Sequence, residues 1–360
     1  MLVPHNYRPL RLQLACCSSV YIDRCAVDRR ILISFTMNFF NSDLEKNISF
    51  VLPRYFIISG FIGIPNIKYY YVFLFLLYIV SVLGNTIVMV IICLDRNLRI
   101  PKYIAVFSLA FADLFGSSAL VPKVLDIFMF DHPYVSYDDC LTFMFFSFTC
   151  LSMQPLNLVA LSYDRLIAII FPLHYHVKVT HRFMFTLIAS FWLLIITAIL
   201  IEVGLLTRLS FCKSVVIKSY FWDYGLMQEL ACNDNSLNLV ISYFLSSLFL
   251  WLPLVFILSC YSYIGYVLSK VATVQERVKA FKTCTAHLSL VAIYFLPVMS
   301  TFAYTHPNAR IINLSLVSTL PPMLNPVIYV LQTQEIKVSV KKLFKIKKKL
   351  KITVKTVIIK

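Results

Sequence analysis

Residues 69–94 read YYYVFLFLLYIVSVLGNTIVMVIICL and contain no charged side chain. A helix rises about 1.5 Å per residue, so roughly 20 residues cross the ~30 Å hydrocarbon core of a bilayer. This stretch is longer than that and almost entirely apolar. It predicts a membrane-spanning helix, because a helix satisfies its backbone hydrogen bonds internally within lipid.

The rest of the chain repeats this pattern six times. Hydrophobic residues make up 59% of the 360 residues and charged residues only 14%, whereas a soluble domain carries about 25% charged residues. The stretches are too long and continuous for the alternating strands of an outer-membrane barrel. We therefore predict an all-α membrane protein, a bundle of seven transmembrane helices, and exclude a disordered chain and an ordinary cytosolic enzyme. The six further stretches are Ile104–Val121, Leu141–Tyr163, Phe183–Ile201, Ser236–Ser269, Thr283–Tyr304 and Ile311–Gln334.

The basic residues set the expected orientation. The chain has 33 Lys and Arg against 17 Asp and Glu, a net charge of +16, and ten lysines lie between Lys337 and Lys360. The short loops after the first, third and fifth stretches are also basic, so the positive-inside rule places the N-terminus outside and the C-terminus in the cytosol. We expect an extracellular N-terminus at 1–68, a transmembrane domain at 69–334 and a basic cytoplasmic tail at 335–360 that begins as a short amphipathic helix. This charge would face anionic membrane lipid and requires no nucleic acid.

The N-terminal segment raises the question of where translation begins. Residues 1–36 hold five arginines and three cysteines but no apolar run resembling a signal peptide. We interpret 1–36 as an upstream extension, with a start at Met37 as the hypothesis. Asn47 opens the glycosylation sequon Asn47-Ile48-Ser49. A glycan at Asn47 is expected if the N-terminus lies outside, and a chance match is the alternative.

Polar side chains in the middle of the spans are costly in lipid and mark candidate functional sites. Asp113 is the charged residue of the second span, and Asn85, Gln154 and Asn325-Pro326 of three other spans could converge on it. One interpretation is a hydrogen-bond network that holds the bundle together. The other is a site whose protonation, or occupancy by a cation such as sodium, differs between two packings of the helices.

Arg165 lies at the end of the third span, next to Asp164. An arginine at a helix end can simply extend its charge to the membrane surface. Here the neutral third span precedes it and the apolar residues 166–171 follow it. Apolar flanks on both sides favour a buried ion pair.

Short motifs occur at matching places in the predicted spans. The most specific are Ala160–Ile169 followed by Pro172–Tyr175 after the third span, and Lys279–Leu288 at the start of the sixth. The others are Gly84-Asn85, Leu109–Leu114, Trp192, Pro253 with Tyr261, and Pro322–Tyr329. Seven motifs in order resemble rhodopsin-like (class A) G-protein-coupled receptors and, among these, olfactory (odorant) receptors. The resemblance covers roughly residues 57–344.

The resemblance implies a receptor of the plasma membrane, not an enzyme, with no cofactor. It would bind small odorant molecules in a transmembrane pocket, activate the olfactory stimulatory heterotrimeric G protein and raise cyclic AMP. Arg165 would hold the cytoplasmic end closed, then swing free to contact the G protein, while Tyr261 and Tyr329 would stabilise the open form. The residues implied in this switch are Asp164, Arg165, Tyr261, Asn325, Pro326 and Tyr329.

The second outer loop departs from the family pattern. Family members carry three cysteines there, and the middle one bonds a cysteine at the top of the third span. Here Cys212 and Cys232 hold the outer positions, but Trp222 stands in the middle, so Cys140 lacks its usual partner. We expect a Cys212–Cys232 disulfide, since both face an oxidising exterior. Cys140 would be free, pair with an N-terminal cysteine, or compete for a loop cysteine, and the receptor could be poorly functional.

The family's geometry places the ligand pocket in the outer half of the bundle. Its expected lining is apolar and aromatic with a few hydroxyls, as in most small-molecule pockets, although each residue could equally serve helix packing. Residues 141–154 contain no acid to pair with an amine, and the seventh span has no lysine to bind retinal. The expected lining residues are Phe143, Ser147, Phe148, Leu151, Ser152, Leu245, Ser246, Phe249, Phe295, Met299, Phe302 and Ser315.

The sequence disfavours two other functions. A non-olfactory class A receptor for another small ligand, a peptide or a lipid is disfavoured by the motifs at Pro172–Tyr175 and Lys279–Leu288. A transporter or channel would carry charged residues in several spans, whereas only Asp113 is clearly intramembrane. We find no metal-ligand spacing, phosphate-binding loop or hydrolase triad order in the sequence.

Overall fold

The computed structural model describes residues 52–342 except 62, 63, 65, 213, 272, 302–306 and 334. Several features of the sequence lie outside the described residues: the segment 1–36, Met37, Asn47, the pocket residue Phe302 and the tail beyond residue 342. Within the described part, long helices form a bundle and three short strands cover one of its ends.

Seven long helices coincide with the seven predicted spans. Six are long and apolar enough to cross a membrane; in the sixth in chain order, the apolar part among the described residues is His287–Thr301. Residues 335–342 form a further helix, α8, where the short amphipathic helix was predicted. The seven are α1 (Lys68–Leu94), α2 (Lys102–Met129), α3 (Tyr137–Ile170), α4 (His181–Leu206), α5 (Ser236–Ser246, a π-helical turn Ser247–Trp251 and Leu252–Val271), α6 (Val274–Thr301) and α7 (Pro307–Gln332).

Local sequence sets where two of the spans begin. The Ser136 hydroxyl accepts a hydrogen bond from the Asp139 backbone N–H at 3.1 Å and so caps α3. Asp138 and Asp139 lie in the first turn of α3, where negative charge is favourable. Thr180 caps α4 in the same way, accepting from the Phe183 N–H at 3.1 Å.

The helix α3 lies at the centre of the bundle. It packs against α2, α4, α5 and α6, and its apolar window is the most buried among the spanning helices of the described part. By contrast, α1 leaves most of its side chains on the outer surface of the bundle. Residues of α3 are therefore placed to connect the other helices.

A three-stranded sheet, which the sequence patterns do not predict, covers one end of the bundle. The central strand β1 (Tyr55–Ile58) pairs antiparallel with β2 (Tyr134–Ser136) and parallel with β3 (Val216–Ile217). The sheet thereby joins the segment before α1 to the α2–α3 and α4–α5 loops. Phe56 at its centre is fully buried. We call this the sheet end of the bundle, and the opposite end, where α3 finishes, the Arg165 end.

Candidate functional site

Asp113, on α2, is fully buried at the centre of a polar cluster. Its Oδ1 accepts a hydrogen bond from Gln154 Nε2 of α3 at 2.9 Å, and its Oδ2 accepts one from Asn325 Nδ2 of α7 at 2.7 Å. One carboxylate therefore joins three helices. We call Asp113, Gln154 and Asn325 the Asp113 cluster.

Among the described residues Asn85 makes no hydrogen bond to Asp113, and it instead links α1 to α7. Pro326 has no N–H to donate, so the carbonyl of Pro322, four residues earlier, is left without its helical partner. The Asn85 side chain donates to this carbonyl at 2.8 Å. The helices approach closely here, since a Cβ added at Gly84 would lie 2.7 Å from a Pro326 ring carbon. The Gly84-Asn85 motif thus has a packing role.

A cavity of about 10 Å³ lies beside the Asp113 cluster on the side of the sheet end. That is room for about one water molecule. Ser147 and Gln154 line it, and their Oγ and Oε1 atoms have no hydrogen-bond partner among the described residues. Leu151, another expected pocket residue, also lines this cavity. The cavity therefore offers two free oxygens next to the buried carboxylate.

At the Arg165 end, the buried carboxylate of Asp164 has two neighbours. The Tyr175 hydroxyl donates to Asp164 Oδ1 at 2.6 Å, and Arg165 Nε lies 3.8 Å from Oδ2. Asp164 is buried, whereas the Arg165 side chain is 24% exposed. Burial and the adjacent Asp164 carboxylate raise the pKa of Tyr175 above its ordinary value, so its hydroxyl keeps the proton that it donates.

The two switch tyrosines have different surroundings. The Tyr261 hydroxyl of α5 lies 2.6 Å from Nδ1 of His287, which is buried on α6, and this contact links the two helices. Tyr329 on α7 is also buried, but its hydroxyl has no partner in the described part of the chain. Tyr329 is therefore free to form a new hydrogen bond if the helices move.

The helix α8 is attached to the loop between α1 and α2. Ser339 Oγ donates to Asp95 Oδ2 at 2.5 Å, and Lys342 Nζ lies 3.7 Å from the same oxygen. The hydrogen bond from Ser339 is the main reason that the pKa of Asp95 lies below its ordinary value. Lys102 and Glu335 form a further contact at 3.3 Å. Three polar contacts thus dock α8.

Aromatic side chains of the α4–α5 loop enter the space where the ligand pocket was expected. Trp222 is fully buried and stacks on Phe143 of α3, with ring centroids 4.9 Å apart and planes 16° apart. Phe221 lies 6.3 Å from Phe148 between centroids. The loop therefore forms part of the wall of the expected pocket.

Hydroxyl pairs link other elements to α7 in the same region. The Tyr220 hydroxyl lies 2.6 Å from Ser318 Oγ. Ser315, one of the expected pocket residues, lies 2.6 Å from the Tyr70 hydroxyl of α1 and is fully buried. Of the hydroxyls expected to meet a ligand, that of Ser315 thus already has a protein partner, whereas that of Ser147 has none among the described residues.

Most of the remaining pocket residues point inward, with one exception. Leu245 and Phe249, four residues apart on α5, are buried, as is Phe295 on α6. Ser152 and Met299 are partly buried. The prediction for Ser246 is wrong: its side chain is exposed on the surface of the bundle, because it lies about 100° around α5 from the inward stripe of Leu245 and Phe249.

The loop cysteines form the expected bridge between Cys212 and Cys232. Among the described cysteines, Cys140 is a fully buried free thiol at the start of α3. The indole of Trp222 lies beside its sulfur. Trp222, which stands where the resemblance implies a cysteine, therefore packs against Cys140 without a covalent bond.

Two features of the site are not among the sequence predictions, although the sequence contains a signal for each. Tyr175 lies inside the quoted motif Pro172–Tyr175, so its pairing with the neighbouring acid could have been proposed. Residues 220–222 are three consecutive aromatics in a loop, where polar residues are the rule. The pairing of β1 with two distant loops has no comparable signal, since its strands are very short.

Comparisons with known proteins agree with this architecture. A family model described as olfactory receptor matches residues 74–347. Olfactory receptor 1E16 of Mus musculus is 34% identical over 298 residues, covering 80% of this chain and 95% of the relative. Olfactory receptor 7D2 of Homo sapiens is 33% identical over 287 residues, covering 78% of this chain and 92% of the relative.

A solved structure supports the fold alone. Squid rhodopsin superposes with a TM-score of 0.63 at 16% identity, covering 83% of this chain and 91% of that chain. The family match sets aside the transporter and non-olfactory alternatives and accords with a multi-pass membrane protein that is not an enzyme. The chain belongs to the olfactory receptor family of G-protein-coupled receptors.

Proposed function

We propose that this chain is an odorant receptor that binds a small molecule at the sheet end and activates the olfactory stimulatory heterotrimeric G protein at the Arg165 end, raising cyclic AMP. The observation that carries the proposal is the Asp113 cluster. It joins α2, α3 and α7 between the expected ligand pocket and the Asp164–Arg165 pair. A movement of these helices at the expected ligand pocket would therefore also change their packing at the Asp164–Arg165 pair, and the reverse.

The proposed site of action is the plasma membrane, with the N-terminus and the sheet end outside. The Cys212–Cys232 bridge lies in the loop that also forms β3, and disulfides persist in oxidising compartments. The basic loops and the lysine-rich tail would then face the cytosol. The domain limits 1–68, 69–334 and 335–360 belong to the same proposal.

Activation would be a shift between two packings of the bundle. A ligand changes their populations only by its difference in affinity for the two. In the proposal, Arg165 leaves the Asp164–Tyr175 contact, α6 moves outward, and Tyr261 and Tyr329 find new partners in the open form. The unpaired Tyr329 hydroxyl and the partly exposed Arg165 support this sequence of events.

A sodium ion at Asp113 remains part of the proposal. Each carboxylate oxygen accepts one amide hydrogen bond and keeps a second lone pair. The unpaired oxygens of Ser147 and Gln154 line the adjacent cavity. These residues fit a small hard cation and would hold it between α2 and α3.

The test is cyclic AMP accumulation in cells that display the tagged receptor, measured against a panel of odorants. We expect at least one odorant to raise cyclic AMP, and Arg165→Ala to abolish the response while surface display is retained. Arg182→Ala is the matched control, because Arg182 is an exposed arginine at the same end outside the motif. An unchanged response in Arg165→Ala, or no response from a displayed receptor to any odorant, would contradict the proposal.

A further inference from the structure

Glu202 lies near the sheet end of α4, one residue beyond the stretch predicted as the fourth span. Ile199 and Leu206 on the same helix are buried, 3% and 0% exposed. Glu202 is about one helical turn from each, so it belongs to the stripe of α4 that faces the bundle. Its own side chain is half-buried.

The Glu202 carboxylate makes neither a hydrogen bond nor an ion pair within the described part of the chain. A carboxylate inside a membrane protein is costly unless it is paired, and such residues commonly mark ligand or ion sites.

Tyr224 connects Glu202 to two further buried polar side chains, Gln228 and Asn238. The Tyr224 hydroxyl donates to the Glu202 backbone carbonyl at 3.3 Å and lies beside the amides of Gln228 and Asn238. Gln228 is 2% exposed and Asn238 is 4% exposed. Both polar atoms of the Gln228 amide and the Asn238 Nδ2 lack partners among the described residues. Orphaned polar atoms this deeply buried are rare and call for a ligand, a water molecule or an ion.

This group of residues adjoins the expected odorant pocket. Asn238 is seven residues, or two turns, from Leu245 on α5, so both lie on the same face. Tyr224 follows Trp222 by two residues, and Trp222 stacks on Phe143. The group therefore lies next to the expected pocket, on α4, α5 and the loop that joins them.

We propose that Glu202, Tyr224, Gln228 and Asn238 form a polar subsite that binds the protonated amino group of an odorant. The inference rests on the proposed function and narrows its ligand to an amine with an apolar body. An ammonium group brings one positive charge and up to three N–H donors. It would pair with the Glu202 carboxylate and the Gln228 amide oxygen, while its apolar body lies towards Leu245 and Phe143.

The subsite differs from an amine site built on an acid of the third span, which the sequence excludes. The third span carries no acid that could pair with an amine, and this remains true. The carboxylate comes instead from α4, and the amide groups come from the α4–α5 loop and α5. Recognition of an amine therefore does not need an acid on α3.

The experiment compares hexylamine and octylamine with hexanol and octanol, using the full-length receptor purified in detergent. Binding is measured as the ligand-induced rise in melting temperature, and signalling as cyclic AMP in cells. We expect the amines to bind wild type more tightly than the alcohols of equal length. Glu202→Gln should weaken amine binding about tenfold or more and leave alcohol binding unchanged.

Two further variants guard against indirect effects. Glu229→Gln removes an exposed acid from the same loop and should leave amine binding as in wild type. Gln228→Met removes the second acceptor at similar size and should weaken amine binding several-fold, which keeps the test valid if Glu202→Gln folds poorly.

The outcomes separate this inference from the proposed function. Equal binding of amines and alcohols to wild type, an equal loss of both in Glu202→Gln, or no amine binding to the folded receptor would overturn the subsite. If alcohols raise cyclic AMP in that case, the odorant-receptor proposal still stands. If neither class of ligand, nor any other odorant, raises cyclic AMP, that proposal fails as well.

Discussion

Different kinds of contact stabilise the two ends of this bundle. The Arg165 end and the centre depend on a few polar side chains with defined partners: the Asp113 cluster, the Tyr175–Asp164 bond and the Tyr261–His287 contact. The sheet end depends on strand pairing, on aromatic packing and on one disulfide at Cys212–Cys232.

The difference separates side chains quoted in the sequence motifs from a loop that departs from the pattern expected of the family. Except for Gln154, these polar side chains lie in the motifs that carry the resemblance to the olfactory receptor family. The sheet end carries Trp222 in place of a cysteine, and Arg310 of α7 forms an ion pair at 3.0 Å with Asp223, the next residue of the loop. Non-covalent contacts thus take over the tethering of the loop. Three substitutions test this comparison.

The largest effect is expected at Trp222. Trp222→Ala removes a fully buried indole that packs on Phe143 and beside Cys140. Large-to-small changes at a buried tryptophan cost about 3–5 kcal/mol, and the sheet end has no bridge to Cys140 to compensate. We expect a clear fall in the melting temperature of the purified receptor and in the amount displayed on cells.

Trp251 provides the matched control, because it is 50% exposed on the outer surface of α5. Trp251→Ala should change the free energy of unfolding by only about 0.5 kcal/mol. If the two alanine variants have the same melting temperature, Trp222 does not anchor the loop. Aromatic packing would then not be what stabilises the sheet end.

An intermediate effect is expected at Asp113. Asp113→Ala leaves the Gln154 and Asn325 amide groups without their acceptor. Interhelical hydrogen bonds in membranes contribute about 0.6–2 kcal/mol each, so a loss of about 1–3 kcal/mol is expected in thermal unfolding. Asp113→Asn should lose less, because the Gln154 amide can turn its oxygen towards the new side chain.

Ser117→Ala serves as the control for Asp113. Ser117 is also buried on α2, one turn away, but its hydroxyl donates only to carbonyls of its own helix. A melting temperature for Asp113→Ala equal to that of Ser117→Ala would show that the Asp113 cluster does not hold α2, α3 and α7 together.

The same comparison shows how much of the molecule can be predicted from its sequence. The spans follow from apolar length, and the Asp113 cluster follows from the cost of placing polar groups in lipid. These signals are local, since each residue is conspicuous in its own helix. Asn85 was predicted in the right region but with the wrong partner, because the free carbonyl it meets is created by Pro326, on a different helix.

The sheet end could not be predicted in this way. The strands β1, β2 and β3 have four residues or fewer and come from three distant segments, so their pairing leaves no periodicity to detect. Ser246 shows a similar limit to prediction within a helix. Its residue type suggests a pocket, but it lies away from the buried face of α5 that Leu245 and Phe249 form, so its side chain is exposed. Glu202 lies one residue beyond the predicted fourth span, so the cost of placing a charge in lipid does not single it out in the sequence.

The smallest effect is expected at Cys140, and it bears on whether this receptor needs the family's disulfide. Cys140 is a free thiol beside Trp222, so Cys140→Ala removes only one small buried group, at a cost of about 1 kcal/mol or less. Cys232→Ala opens the loop closed by the bridge to Cys212 and should cost about 3 kcal/mol. We therefore expect near-normal surface display for Cys140→Ala and a marked loss for Cys232→Ala, measured by antibody labelling of intact cells. Equal losses would mean that Cys140 forms a required covalent bond in the cell, and the packing of Trp222 would then not be what replaces the missing tether.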